Sequence, residues 1–329
     1  MGWMAEETGL DKCQANYVPL TPLSHLQRAA SVFAEHIAVV YGSHRATYRQ
    51  YHARVSQLAS ALTGLGVQPG DVVATLLPHI TAQIEASFGV PACGAVLNTI
   101  NTRLDVDTLT YIFEHGEAKV VLVDSQFLAP VEAAIAAMST PAPQIVEVAD
   151  QEAGFTASGR HLEYETLLTR GDAQAPWIMP KDEWESLALN YTSGTTGHPK
   201  GATLSHFNIV NNARFAAKSM AVTHEDRMCI PVPLYHCFGM VLGVLTCTAA
   251  GAAMVFPGEG FDAAATLKAV LKQRCTALHG VPTMFVSMLA EPGVANMDFS
   301  LLRTGIMAGA PCPVETMQAV MRTLNMKQI

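Results

Sequence analysis

The chain has 329 residues, half of them hydrophobic and 15% charged, which argues against a disordered chain and leaves room for two domains of about 150 residues or one large layered one. Its 24 glycines and 18 prolines are too few for collagen-like or low-complexity architecture. A net charge of −8 with no basic patch argues against a nucleic-acid partner, and seven scattered cysteines with no C-x-x-C pair argue against a disulfide scaffold or zinc site.

The first 13 residues are acidic and lack the basic-then-apolar order of a signal peptide, so a reducing, cytoplasmic location is expected. Glu6 stands where an N-myristoylation pattern needs a hydroxyl. Thr21-Pro22 reads as an N-cap and a first-position proline opening a helix. IAVVYG (37–42) reads as a strand. The helix from Thr47 has Gly64 or Gly66 as its left-handed stop, and DVVATLLP is the next strand. A helix from about Ile80, another from Asp105 to His115, the strand KVVLVD, a helix from Gln126 to Met138 and the strand QIVEV follow. Residues 149–181 are more polar and read as the internal connection.

A second alternating series then begins: SLALNYT (strand), a Gly-rich loop, GATLSH (strand), a helix to about Met220, RMCIPVP (strand), a helix after His236 and AAMVF (strand). It continues with a helix from Asp262 to Gln273, the strand CTALHG, a helix from about Pro282, the strand TGIMAG and a last helix from about Pro313. Apolar strands alternating with amphipathic helices predict an α/β fold of largely parallel sheets covered by helices. The expected organisation is a tail (1–16), a first α/β lobe (17–180) and a second (181–329). Met228 to Gly258 contains no Asp, Glu, Lys or Arg and is long enough to cross a bilayer. Pro231, Pro233 and His236 interrupt it, so a buried helix and strand are the better account, and no transmembrane segment is expected.

The most informative segment is YTSGTTGHPKG, residues 191–201, directly after an apolar strand. Its glycines let backbone N–H groups turn toward an anion, Ser193, Thr195 and Thr196 add hydroxyls, and Lys200 adds a positive charge. The competing explanation is a hydroxyl-rich surface hairpin. A Walker loop is absent because Pro199 precedes Lys200, and a G-x-S-x-G elbow is absent because Tyr191 stands where glycine is needed. GEGFDA (258–263) loosely fits a dinucleotide turn, but no acidic residue follows on CTALHG; a plain turn with Asp262 as N-cap is the better reading. The twelve histidines show no metal-ligand spacing, and no protein-held metal is expected.

The run YTSGTTGHPKGATLSH closely resembles the ATP-phosphate loop of the adenylate-forming superfamily. VPLYHCFG, LHGVPTMF and MAGAPCP fall in the order of that superfamily's later motifs, and PLTPLSHLQRA, GDVVATLLP and GAVLNTINTRL extend the resemblance over nearly the whole chain. It is most similar to short- to medium-chain or fatty acyl-CoA synthetases. The resemblance implies that Thr192, Ser193, Gly194, Thr195, Thr196, Gly197, His198, Pro199 and Lys200 hold the β- and γ-phosphates of ATP. It places His236 beside the reacting carboxylate and α-phosphate, and Gly309, Ala310 and Pro311 against the adenine. Thr192, Lys200 and His236 are the implied catalytic residues. Phe238, Gly239, Met240 and Thr283 would border the acyl pocket with His236, although apolar residues at such spacing are also ordinary core.

The implied reaction joins a small carboxylic acid to the α-phosphorus of ATP, releases pyrophosphate, and passes the acyl group to coenzyme A, with Mg²⁺ bridging phosphate oxygens. In the superfamily a Tyr-Gly-x-Thr-Glu strand, a hinge and a swivelling domain with a catalytic lysine follow, and this sequence stops at Ile329 before them. The expectation is an incomplete sequence of a synthetase, inactive as this fragment. The alternatives are a nucleotide-binding remnant or interaction module, and another adenylate-forming enzyme acting on aryl or amino acids.

Overall fold

Twelve strands form among residues 11–13, 15–192 and 197–329, which the structure, a computed structural model, describes. They are β1 (Ile37–Tyr41), β2 (His44–Thr47), β3 (Val72–Leu76), β4 (Val96–Thr99), β5 (Ala118–Asp124), β6 (Gln144–Val148) and β7 (Leu162–Glu163). The remainder are β8 (Ser186–Thr192), β9 (Lys200–Ser205), β10 (Arg227–Cys229), β11 (Ala253–Phe256) and β12 (Ala277–Leu278). Seven make a sheet in the order β7-β6-β5-β3-β4-β8-β9, parallel except for β8 against β9. Five make a second sheet in the order β12-β10-β11-β1-β2, parallel except for β1 against β2.

Alternation along the strands explains how the sheets stack. Val73, Leu97 and Val120 of the larger sheet share one apolar cluster with Val39, Met228 and Met254 of the smaller. The intervening residues Ala74, Val121 and Val123 face a second cluster under the helices Val106–His115 and Leu128–Ala136. Val40, Cys229 and Val255 face a third, under the helices Ala263–Lys272 and Pro282–Leu289. Each sheet is therefore buried on both faces, which is why its strands read as nearly continuous apolar runs. The helix Thr81–Ala92 lies in the shared cluster and is buried at every position from Ala82 to Ala92. It packs so closely on the helix Tyr48–Gly64 that a Cβ at Gly89 would sit 2.7 Å from Leu58 Cδ2.

The division expected at residue 180 does not separate the sheets. β1 and β2 leave the first half to pair with β11, and β8 and β9 join the sheet of the first half through β4. Pairing across the sequence overrode the order of the elements. RMCIPVP forms only three residues of strand, because Pro231 and Pro233 have no N–H to continue the ladder. TGIMAG makes isolated bridges rather than a strand: Thr304 meets Ala277 and Met307 meets Gly280. β2, β4 and β7 were not expected; they are two to four residues long, too short for a period to show. Asp262 caps its helix as the sequence suggested, accepting the Ala265 N–H at 2.7 Å. The uncharged run from Met228 divides into β10, a turn, a π-helical segment (Phe238–Leu245), a short helix (Thr246–Ala250) and β11. Among the described residues, no helix is long and apolar enough to cross a membrane.

Candidate adenylation site

β8 and β9 form a hairpin in which Thr192 lies opposite Lys200, both exposed. Ser193, Gly194, Thr195 and Thr196 lie outside the described residues. Gly197 has φ of +129°, and a Cβ there would meet nothing within 4 Å among the described residues. His198 is exposed and Pro199 half-buried. The root of the hairpin is held firmly. The Tyr191 hydroxyl lies 2.7 Å from His115 Nδ1, and burial pushes that phenol up to about 12, keeping it a neutral hydrogen-bonding group. A Cβ at residue 201 would approach Leu189 Cδ1 to 2.8 Å, which accounts for Gly201 opposite Tyr191.

At the other end of β9 lies a pocket of about 290 Å³. One wall is Leu204 of β9 with Asn208, Ile209 and Asn212 of the helix His206–Ser219. Another is the His236–Cys237 turn with Phe238, Val241 and Leu242 of the π-helical segment, and Ala308 and Gly309 close the third side. Lys200 and Leu204 are four residues apart on one strand, so their side chains leave the same face about 13 Å apart. An exposed cation and an apolar cavity thus stand at opposite ends of one edge.

His236 sits in a tight turn. Its N–H donates to the Pro233 carbonyl at 3.3 Å, and its own carbonyl accepts from Met240 at 3.0 Å. The ring Nδ1 accepts the Phe238 N–H at 3.1 Å and lies 3.9 Å from Cys237 Sγ. With Nδ1 accepting, Nε2 is the ring's proton carrier. Pairing with Cys237 raises His236 above the ordinary imidazole value against the effect of burial, and the same pairing lowers the Cys237 thiol. The wide π turn fits because residue 239 is glycine: a Cβ there would sit 2.3 Å from the Pro233 carbonyl oxygen.

Of the other residues singled out in the sequence, Phe238 and Gly309 line the pocket. Gly309 takes φ of +88°, a left-handed conformation that glycine adopts freely; Ala310 and Pro311 follow it, exposed. Gly239, Met240 and Thr283 do not line it. Met240 is in the core, Gly239 packs against the Pro233 carbonyl, and Thr283 is exposed on the helix Pro282–Leu289. Sequence reasoning missed His279. It is fully buried, with Nε2 2.9 Å from the Leu242 carbonyl and Nδ1 accepting the Ile306 N–H at 3.2 Å. Its ring lies 5.4 Å from that of Phe238. It ties the π-helical wall to the segment leading to Ala308 and Gly309. No motif signals that role, because both partners are backbone atoms far away in sequence.

A family model described as AMP-binding enzyme matches residues 26–329. The chain belongs to the AMP-binding enzyme family. YngI of Bacillus subtilis is 38% identical over 92% of this chain and 59% of its own length. The acyl-CoA ligase sidI of Aspergillus fumigatus is 34% identical over 86% of this chain and 50% of its own length. Among solved structures, the anthranilate CoA ligase AuaEII in complex with anthranoyl-AMP superimposes with a TM-score of 0.87 at 25% identity, covering 95% of this chain and 60% of that one. The chain therefore spans between half and three-fifths of the length of the curated relatives named here.

Proposed function

We propose that this chain carries the adenylation site of an ATP-dependent acyl-CoA synthetase acting on a short- to medium-chain or fatty carboxylic acid. The observation that carries the reading is the placement of Lys200 and the apolar pocket on one face of β9, with His236 at the pocket wall. A triphosphate at the hairpin and an acyl chain in the pocket would bring carboxylate and α-phosphate together near His236. A carboxylate oxygen attacks the α-phosphorus and the bond to pyrophosphate breaks; the thiol of coenzyme A, losing its proton, then attacks the acyl carbon, and AMP departs as the acyl–oxygen bond breaks. Lys200 balances charge on the departing pyrophosphate, and His236 Nε2–H orients the carboxylate.

The left-handed glycine at residue 197 and the exposed Lys200 beside it suit a polyphosphate. Among the described residues no group of three or more His, Cys, Asp or Glu side chains is gathered as for a metal. The pocket lining includes, among the described residues, no Asp or Glu to pair with an α-amino group, which favours a plain acyl substrate over an amino acid.

Calorimetric titration with acyl-sulfamoyl adenosines from acetyl to palmitoyl tests the reading. It expects binding tighter than AMP, strongest at short to medium chain length. No binding of any member, or affinity independent of the acyl group, overturns it.

A further inference from the structure

The last residue of β4, Thr99, lies directly opposite Asn190 of β8 in a parallel pair. Both side chains therefore leave the sheet on one face. The Thr99 hydroxyl donates to the Tyr235 carbonyl at 2.9 Å. Asn190 Nδ2 donates to the same carbonyl at 3.3 Å and to Thr99 Oγ1 at 2.9 Å. Thr99 is almost fully buried, and Asn190 Oδ1 is buried without a partner among the described residues, so this triangle satisfies the Nδ2 end of the Asn190 amide alone.

The location of the triangle matters more than its strength. Tyr235 precedes His236, in the turn that follows β10 of the five-stranded sheet; Asn190 stands two residues before Thr192, in the seven-stranded sheet. One backbone carbonyl thus joins the turn carrying His236 to the strand carrying the phosphate loop. Neither Thr99 nor Asn190 is among the pocket-lining residues, so neither contacts an acyl chain there. We propose that Thr99 and Asn190 are positioning residues that fix the His236 turn relative to the phosphate-binding hairpin, setting the separation between carboxylate and α-phosphate.

The role rests on the adenylation-site reading and makes a differential demand. ATP alone engages the hairpin and tolerates a displaced His236 turn. A ligand covalently joining acyl group and nucleotide must satisfy both ends at once. Thr99→Val keeps the shape and removes the donor, whereas Thr99→Ser keeps the hydroxyl.

The test measures ATP and acyl-sulfamoyl adenosine affinity in the wild type, Thr99→Val and Thr99→Ser, with Asn190→Ala as the second route should the valine variant not fold. The expected result is a loss of about three- to tenfold for the acyl-adenylate mimic in Thr99→Val, the scale of one hydrogen bond, with ATP affinity within about twofold and recovery in Thr99→Ser. Unchanged mimic affinity, or equal loss for both ligands together with a lowered melting temperature, overturns the role. If the wild type binds neither ligand, the adenylation reading fails by itself, and the His236 Cε1–H resonance of the free protein decides the positioning claim. That resonance moves in Thr99→Val and returns in Thr99→Ser if the clamp holds the turn; an unmoved resonance refutes it.

Discussion

Tyr111 stacks on His198 with ring centroids 4.5 Å apart and planes 19° from parallel. One turn further along the same helix, His115 holds the hydroxyl of Tyr191. The helix Val106–His115 therefore grips both sides of the hairpin, the strand entering the loop through Tyr191 and the segment leaving it through His198. An aromatic pair contributes about 0.5–1.5 kcal/mol beyond burial. Tyr111→Ala is expected to weaken ATP binding by about two- to tenfold, and Tyr111→Phe to preserve it. Calorimetry on the two variants checks this; equal affinities would show that the stack does not shape the loop.

The helix itself is legible in the sequence: Asp105 caps it, accepting the Thr108 N–H at 2.8 Å, and Leu109, Ile112 and Phe113 mark its buried face. The stripe formed by Tyr111 and His115 is not legible, because its meaning comes from Tyr191 and His198, which only folding brings near. The same contrast recurs across the molecule. Long periodic elements such as Tyr48–Gly64 and β8 lie close to where the pattern puts them. The two sheets divide differently from the chain order, since β1 finds its partner β11 more than two hundred residues away. In the site, Lys200 and His236 are visible through motif order. Thr99, Asn190 and His279 act through backbone carbonyls and amides, and no residue pattern encodes those partners.

Acid sensitivity follows from three buried histidines. Burial lowers His79, His206 and His279 from 6.5 to about 4. The unfolded chain takes up these protons first, between pH 6.5 and 4, so stability is complete above about 6.5 and is lost as pH falls through that window. Each site contributes on the order of 3 kcal/mol to the fall. Asp124 opposes it: burial and the nearby Asp150 and Glu259 charges raise its carboxyl to about 6, against hydrogen bonds from Gln126, and its protonation favours the native state as pH drops. His25 is lowered by burial in the same way and Asp150 is raised by burial as Asp124 is, so the lowered histidines still outnumber the raised carboxyls. Thermal melts from pH 7.5 to 4.5 should show a monotonic decline in melting temperature; a flat profile would contradict the buried neutral rings.

Cys237 is exposed, as are Cys13 and Cys312, but it alone of the three lies beside an imidazole that lowers its thiol. Iodoacetamide at neutral pH should alkylate Cys237 first, with peptide mapping by mass spectrometry as the readout. His236→Ala is expected to slow that reaction severalfold. Because Cys237 lines the pocket, a bound acyl-adenylate mimic should protect it while leaving Cys13 reactive. Equal rates at the three thiols would contradict the pairing.

Everything proposed for this site depends on the segment from Thr192 to Lys200 binding the polyphosphate of ATP. The most direct measurement compares ATP with AMP affinity in the wild type and in Lys200→Ala. The wild type is expected to prefer ATP, and Lys200→Ala to lose at least about tenfold of that preference, the cost of a charge-assisted contact of about 1.5–3 kcal/mol, while AMP affinity stays constant. An ATP-to-AMP ratio identical in the two proteins would contradict it.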